Sequence, residues 1–261
     1  MRVEPYNVGS YVHIVKRGAR GLEITGDPSD EWRFLRLLFY MNDEYYTEDW
    51  MRVPDVASKV SQTSPASLTN LKTNIKKQNY NPFERPAEWP ARKPLVKILC
   101  YTLMPNHIHL LVQEISRGGV SKFMQKLGMS MSKHFNEKYK SKGSIFQGAY
   151  RGRTIGDDHY LRYVAAYIMV KNTFEVYPDG GLTGAVKDFN KAWQWAIGFE
   201  FSSLADYCGT RNSVIVDKDI LEEIFEGAKG KKEFKEFARD VILSGKWKNG
   251  GEYEYVRIAV E

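Results

Sequence analysis

The order of strand and helix patterns in this 261-residue chain indicates an α+β fold built on an antiparallel sheet. Alternating or β-branched hydrophobic runs at 11–16, 95–104 and 107–114 predict strands. Apolar side chains at helical spacing separate them, and a short turn joins the last two. With a further strand and helix after them, the order β-α-β-β-α-β-α contains a ferredoxin-like or RRM-like βαββαβ core with helices on one face.

The first helix is expected directly after the first strand. The segment 27–30 (DPSD) favours a helix start, with Ser29 or Asp30 as the N-cap. Apolar side chains at helical spacing then continue to about residue 42.

Residues 44–94 differ in composition from the elements on either side. They are rich in acidic, hydroxyl and amide side chains, and prolines recur along them. We therefore expect an inserted subdomain that is mostly loop, with one short helix at about 66–77.

The second half of the core follows the insertion. Strands at 95–104 and 107–114 should form a hairpin, because Pro105-Asn106 between them is turn chemistry. A helix with Ser121 at or near its N-cap should run to about Tyr139, and a fourth strand should lie within 146–155.

A last core helix is expected to begin at 156–158, and a mostly helical tail should follow from about 182 to 242. We divide the chain into a domain at 8–175, which contains the insertion, and a helical C-terminal extension at 176–261.

Composition limits the classes of function. No stretch approaches the ~20 apolar residues that span a bilayer, and the two cysteines, Cys100 and Cys208, form no metal motif or disulfide framework. The expected compartment is the cytoplasm. The net charge is +6, and residues 115–154 hold nine Lys/Arg against one acid with aromatic residues interleaved. Such a segment suits single-stranded nucleic acid, although a solvated helix face and core packing would explain the same residues.

The stretch His107-Ile108-His109 carries a possible metal site. Side chains alternate across a strand, so both imidazoles project from one face. Two imidazoles on one face are suitable ligands for one divalent metal ion. The alternative is a pair of partly buried histidines with ordinary hydrogen-bond partners.

Together with the His-x-His strand, several segments resemble the single-tyrosine HUH transposases, and most closely the REP-associated tyrosine transposases. The resemblance covers roughly residues 8–210 apart from the insertion. The matching segments are 9–18 (GSYVHIVKRG), 104–112 (MPNHIHLLV), 135–139 (FNEKY), 143–148 (GSIFQG), 163–172 (YVAAYIMVKN) and 201–204 (FSSL).

The resemblance implies a metal-dependent endonuclease and strand-transferase acting on single-stranded DNA with hairpins or palindromic repeats. Mg²⁺ or Mn²⁺ would be held by His107, His109 and a third polar side chain. A tyrosine would attack the scissile phosphate and form a 5′-phosphotyrosine intermediate. The partner would be DNA rather than a membrane, and the protein would be a monomer or a homodimer.

Tyr167 is the expected nucleophile, because the tyrosine of the family precedes an isoleucine and lies a few residues before an asparagine. Tyr163 on the same helix is the second choice, and the alternative for Tyr167 is simple packing on the sheet. The family's third ligand lies four residues after the tyrosine, where this chain has Lys171. Either Asn172 reaches the site through a helix irregularity, or water or another residue completes it.

Basic and polar side chains are expected to contact the DNA, whereas His13 is given a structural role. The expected contacts are Lys122, Lys126, Lys133, Gln147, Arg151, Arg153 and Lys171. Two other functions remain open. One is a domesticated protein that binds DNA hairpins without cleaving them, and the other is a metallohydrolase of small phosphoesters.

Overall fold

Four antiparallel strands form one sheet in the computed structural model, which describes residues 6–45, 82–225 and 227–245. The strands are β1 (Tyr11–Arg17), β2 (Val96–Met104), β3 (His107–Glu114) and β4 (Arg151–Ile155), in the order β2-β3-β1-β4. This central placement of β1 and β3 is that of a βαββαβ core, so the predicted fold class is confirmed.

Helices connect and follow the strands within the described ranges. They are α1 (Pro28–Tyr40), α2 (Gly119–Tyr139), α3 (Asp158–Ala166), α4 (Thr173–Glu175), α5 (Gly181–Lys187), α6 (Phe189–Ile197), α7 (Leu204–Tyr207), α8 (Asp219–Ile224) and α9 (Gly227–Leu243). A 3₁₀ turn spans Ala19–Gly21, and a π-helical turn, Tyr167–Asn172, joins α3 to α4. None of the helices in these ranges combines the length and apolar composition needed to span a lipid bilayer.

Both core helices begin differently from the sequence expectation. Asp27 caps α1, since its carboxylate accepts hydrogen bonds from the N–H groups of Ser29 and Asp30. The N-cap of α2 is Gly118, at a φ of 74°, rather than Ser121. The Glu114 carboxylate supplies the acceptor there, because the N–H groups of Gly118 and Val120 donate to it.

The two faces of the sheet carry two separate cores. On one face, alternate side chains of the central strands pack with α1 and α2. These buried residues include Val12, Ile14, Ile108, Leu110, Val112, Phe34, Leu37, Phe123 and Leu127. The core helices α1 and α2 therefore lie on one face, as expected for the fold.

The opposite face is also covered by helices, which the expectation of helices on one face did not include. There Leu111 of β3 and Ile155 of β4 pack with α3, the π-helical turn, α6 and α9. The chain beyond residue 175 is helical over much of its described part, while its division from 8–175 stays a prediction. Residues 82–94 of the insertion contain turns without a helix or strand. The helix expected at 66–77 lies outside the described residues.

The outer edge of β2 is paired with a segment of the C-terminal extension. The Leu103 N–H donates to the Phe201 carbonyl at 2.9 Å, and the Ser203 N–H donates to the Tyr101 carbonyl at 3.0 Å. Further along, the Asp217 N–H donates to the Ile98 carbonyl at 2.9 Å. These bonds satisfy an otherwise open strand edge and hold Ser202 beside Thr102 of β2, the strand partner of His109.

A buried carboxylate holds the start of α1 against the end of α2. Asp30, 5% exposed, accepts hydrogen bonds from His134 Nε2 and Lys138 Nζ, both at 2.9 Å, and from the Tyr139 hydroxyl at 2.7 Å. Burial alone would raise the pKa of this carboxyl, but the donors outweigh burial and hold the pKa well below its usual range.

We expect Asp30→Asn to lower the free energy of unfolding at pH 7 by about 2 kcal/mol, because charge-assisted hydrogen bonds are lost. The folded-state pKa of Asp30 is depressed, so this stabilisation is present above about pH 4, the ordinary aspartate range, and is lost as the pH falls further. Urea unfolding between pH 7 and pH 2 measures the difference.

The matched control is Asp179→Asn, which removes an ion pair with Lys191 that is exposed on both sides. This variant should unfold like the wild type at every pH. An Asp30→Asn protein as stable as the control at pH 7 would contradict the structural role of this cluster.

Candidate active site

Strand register places the histidines on the face that carries the Tyr167 turn. His109 of β3 lies opposite Val15 of β1 and Thr102 of β2, and His107 lies opposite Arg17. Paired residues project to the same side of a sheet. His13 shares this face, because it lies two residues before Val15 on the same strand.

Hydrogen bonds set the proton position of His107 and engage one nitrogen of His109. His107 Nδ1 lies 2.6 Å from the Asn106 side-chain oxygen, which accepts, so Nδ1 carries the proton and Nε2 keeps its lone pair. His109 Nδ1 lies 3.0 Å from His13 Nε2, and His109 Nε2 is buried with no hydrogen-bond partner among the described residues. When His109 Nδ1 donates to His13, both rings of the His107–His109 pair offer Nε2 as a ligand atom.

All three histidines are held neutral by their surroundings. Burial lowers the pKa of His13 to about 4. Burial, assisted by the positive charges of Arg17 and Lys171, lowers the pKa of His107 to about 4. The pKa of His109 is lowered well below its usual range, mainly by burial and then by its histidine neighbours. Neutral imidazole is the form that binds a metal ion.

Tyr167 lies directly against this histidine face. Its ring centroid is 5.7 Å from that of His109 and 6.1 Å from that of His13, and the side chain is 3% exposed. Burial, followed by the negative charge of Glu175, raises the pKa of its phenol. Tyr163, the second candidate nucleophile, is buried in the same core and stacks on Tyr160 with ring centroids 6.3 Å apart.

A π-helical turn follows Tyr167 and changes the position of Asn172. Hydrogen bonds from i to i+5 replace i to i+4 in such a turn, so the turn accommodates one extra residue. The fifth residue after Tyr167 therefore takes the place that the fourth takes in an α-helix. This is the helix irregularity that the sequence left open. Asn172 is 0% exposed, and neither polar atom of its amide has a hydrogen-bond partner among the described residues.

The ammonium group of Lys171 lies over the ring of Tyr167. Its Nζ lies 4.8 Å from the centroid of the Tyr167 ring and forms an ion pair with Glu175. A charged ammonium cannot ligate a cation, so Lys171 does not substitute for the missing ligand at its position. It can offset negative charge that develops near the phenol oxygen.

The basic residues predicted to contact DNA divide between the two sides of the sheet. Arg153 of β4 lies opposite His13, and Arg151 lies opposite Val15, so both belong to the histidine face. Gln147 is exposed, and its N–H donates at 3.0 Å to the carbonyl of Arg17, beside His107 in register.

The three lysines predicted on α2 belong to the other side. That helix packs on the face opposite the histidines. Lys122 and Lys133 are exposed there, and Lys126 donates to the Asp43 carbonyl at 2.5 Å. The structure therefore does not bring these lysines together with the histidine pair, although they stay candidates for a separate DNA contact.

The residues on the histidine face fit a divalent metal ion. Among the residues that the structure describes, His109 Nε2 and the Asn172 amide are buried polar groups without hydrogen-bond partners, which is unusual unless a ligand satisfies them. No cluster of three His, Cys, Asp or Glu side chains suited to a metal occurs in the described part of the chain. Asn172 offers an amide oxygen as a third protein ligand beside His107 and His109, and water or another residue stays the alternative.

His13, for which a structural role was expected, lies in contact with the candidate site. Its Nε2 lies 3.0 Å from His109 Nδ1, and its ring packs against that of Tyr167. Strand alternation alone would have shown that its side chain shares a face with Val15. What the sequence could not give was the pairing of Val15 with His109, which is set by the register between β1 and β3.

Comparisons with known proteins identify a family that part of this chain resembles. Residues 71–171 match the family model described as "Transposase IS200 like". That range includes His107, His109 and Tyr167 and ends one residue before Asn172. The resemblance to transposases is thereby confirmed at the level of this family, whereas a comparison with curated proteins gives no match.

Among solved structures, the chain is similar to one titled "Structure of the REP associates tyrosine transposase bound to a REP hairpin". The two are 14% identical with a TM-score of 0.38, over 88% of this chain and 95% of the other. The fold assignment rests on the strand order and register given above, not on this similarity.

We expect Asn172→Leu to leave the metal-free protein at least as stable as the wild type. The substitution removes a buried amide whose polar atoms have no partner, so desolvation is relieved and no hydrogen bond is lost. Thermal and urea unfolding in the presence of a chelator measure this.

Asn42→Leu is the matched control, because Asn42 is 2% exposed and its amide is fully used. Its oxygen accepts from the N–H groups of Leu95 and Val96, and its nitrogen donates to the Val96 carbonyl. This variant should lose about 3 kcal/mol. Equal destabilisation of the two variants would show that Asn172 is an ordinary structural residue.

Proposed function

We propose that this chain, whose residues 71–171 match the family model of IS200-like transposases, is an HUH-type transposase that cleaves and rejoins single-stranded DNA through Tyr167. Within the family we place it with the REP-associated tyrosine transposases, on the sequence motifs given above. Its substrate would be DNA that carries a hairpin or palindromic repeat. Mg²⁺ or Mn²⁺ would be the cofactor.

The observation that carries the proposal is the packing of Tyr167 on His109 within one chain. The nucleophile and the ligand pair belong to the same sheet face, with ring centroids 5.7 Å apart. The two partnerless groups, His109 Nε2 and the Asn172 amide, lie on the elements that this contact joins. A protein that only bound DNA would gain nothing from buried polar groups that cost stability.

The reaction would proceed by attack of the Tyr167 phenolate oxygen on the scissile phosphorus. A new bond forms between the phenolate oxygen and phosphorus, and the bond from phosphorus to the 3′ oxygen breaks. The DNA fragment downstream of the break stays on the tyrosine through its 5′ phosphate, as a phosphodiester. The upstream fragment leaves when its 3′ oxygen takes up a proton and becomes a free 3′ hydroxyl. Attack by another 3′ hydroxyl reverses the step, so rejoining needs no nucleotide cofactor.

His107, His109 and Asn172 would hold the divalent ion. When bound, the ion polarises the scissile phosphate and helps to align it for attack. His13 keeps the Nδ1 side of His109 occupied, which directs Nε2 to the ion. Lys171, whose Nζ lies 4.8 Å from the Tyr167 ring centroid, would offset negative charge on the attacking oxygen. The charge of Arg17 lowers the phenol pKa against the larger effect of burial.

Arg17, Arg151 and Arg153 would guide the DNA backbone across this face. They lie on strands β1 and β4 in register with the histidines, and Arg17 and Arg153 are half-buried while Arg151 is exposed. Guanidinium groups bind phosphate oxygens through paired hydrogen bonds. Gln147, whose N–H donates to the carbonyl of Arg17 at the end of β1, would contact the same strand of DNA.

Tyr167→Phe should abolish the covalent adduct between protein and DNA, because the attacking oxygen is removed. The assay incubates wild type or variant with a hairpin-bearing single strand and Mn²⁺, and follows the adduct by denaturing gel and mass spectrometry. Tyr163→Phe, from the same helix, is the matched control and should still form the adduct.

Three outcomes separate the alternatives. Adduct in Tyr167→Phe but not in Tyr163→Phe would move the nucleophile to Tyr163. Hairpin binding without any adduct in the wild type would favour the domesticated DNA-binding protein. Failure to bind DNA, with hydrolysis of a small phosphoester, would favour the metallohydrolase.

The double variant Arg151→Ala/Arg153→Ala should bind single-stranded DNA more weakly and with a lower salt dependence. Each lost phosphate contact should reduce the slope of log K against log salt by about 0.7. Lys122→Ala/Lys133→Ala removes the same charge from the opposite face and serves as the control. A larger loss of affinity or slope in the lysine variant would show that the DNA backbone follows α2 instead.

A further inference from the structure

Side-chain hydroxyls bond to two backbone carbonyls of the π-helical turn. A π turn interrupts the regular i to i+4 bonds, and carbonyls that lose a backbone donor in a buried region need another one. At the end of this turn the Thr173 N–H donates to the Val170 carbonyl, three residues back. The carbonyls of Ile168 and Met169 accept hydrogen bonds from side-chain hydroxyls.

Thr102 supplies the donor to Ile168. Its hydroxyl lies 2.6 Å from the Ile168 carbonyl oxygen, and the side chain is 0% exposed. Thr102 is also the direct partner of His109 in the pairing of β2 with β3. One side chain therefore ties the strand beside the metal-ligand pair to the turn that carries Tyr167 and Asn172.

Ser202 reaches the same turn from the C-terminal extension. Its hydroxyl lies 3.3 Å from the Met169 carbonyl and 3.4 Å from the Thr102 hydroxyl. The Thr173 hydroxyl donates to the same Met169 carbonyl at 2.8 Å. The segment around Ser202 is held on the edge of β2, and Arg211 donates to the Ser202 carbonyl at 2.5 Å.

We propose that Thr102 and Ser202 are positioning residues that hold the Tyr167–Asn172 turn in its π-helical register through the Ile168 and Met169 carbonyls. This register places Asn172, five residues after the tyrosine, where a metal ligand is needed. The expected effect of these residues on metal binding and catalysis rests on the proposed function. The hydrogen bonds that carry it are independent of any metal or DNA.

Thr102→Val and Thr102→Ser form the central test. Valine keeps the shape of threonine and removes the hydroxyl, whereas serine keeps the hydroxyl. For Thr102→Val we expect the Kd for Mn²⁺ to rise, and kcat for adduct formation to fall, by about 10- to 100-fold with KM for DNA little changed. Thr102→Ser should restore both values, and Ser202→Ala should show a weaker form of the same loss.

Ser203→Ala is the matched control for lost stability. Ser203 is equally buried and its hydroxyl bonds to the backbone of Tyr101 on β2, but not to the π-helical turn. This variant should have a lower Tm with Mn²⁺ affinity and kcat unchanged. If Thr102→Val shows only that pattern, or if Thr102→Ser fails to restore function, the positioning role is wrong.

Hydrogen exchange of the metal-free protein gives a readout that does not depend on activity. The amides of the turn should exchange faster in Thr102→Val than in Ser203→Ala. If the wild type neither binds Mn²⁺ nor forms an adduct, the proposed function is wrong. Faster exchange in Thr102→Val would even then support the positioning of the turn by its hydroxyl. Equal exchange in the two variants would contradict that positioning role. If Thr102→Val does not fold, Ser202→Ala is compared with Ser203→Ala in the same measurements.

Discussion

The packing of the Tyr167 turn on the histidine face of the sheet is the contact on which the site depends. Alternation along β3 sends Ile108 and Leu110 into one core and His107 and His109 towards the other side. Helices cover both faces, so His109 lies in an almost dry environment. Dryness keeps the imidazoles neutral and strengthens every electrostatic interaction at the tyrosine.

The same contact lowers the stability of the folded protein. His109 Nε2 and the Asn172 amide are buried without partners among the described residues, and each such group carries a desolvation penalty. The buried side chains of Asn42 and Asp30, by contrast, are fully used in hydrogen bonds. Local violations of otherwise good packing are concentrated at functional sites. Hydroxyl groups of Thr102 and Ser202 donate hydrogen bonds to the Ile168 and Met169 carbonyls of the turn.

Much of the fold could be predicted from the sequence, because each element has a local signal. Period-2 runs marked β1, β2 and β3 to within a residue or so, and His-x-His fixed the shared face of His107 and His109. The partners of those histidines could not be predicted, since His13 and Thr102 meet them only through strand register. The π-helical turn also escaped prediction in detail. Its one-residue insertion showed as an odd Tyr-to-Asn spacing, but the donors that stabilise it come from distant segments.

Pulsed EPR of the protein with an equimolar amount of Mn²⁺, in the absence of DNA, tests the central arrangement most directly. We expect couplings from two imidazole nitrogens. Both should vanish in the double variant His107→Ala/His109→Ala and persist in His159→Ala, whose side chain is exposed on α3. A spectrum without imidazole couplings, or one that the double variant leaves unchanged, would contradict a metal centre on the histidine face.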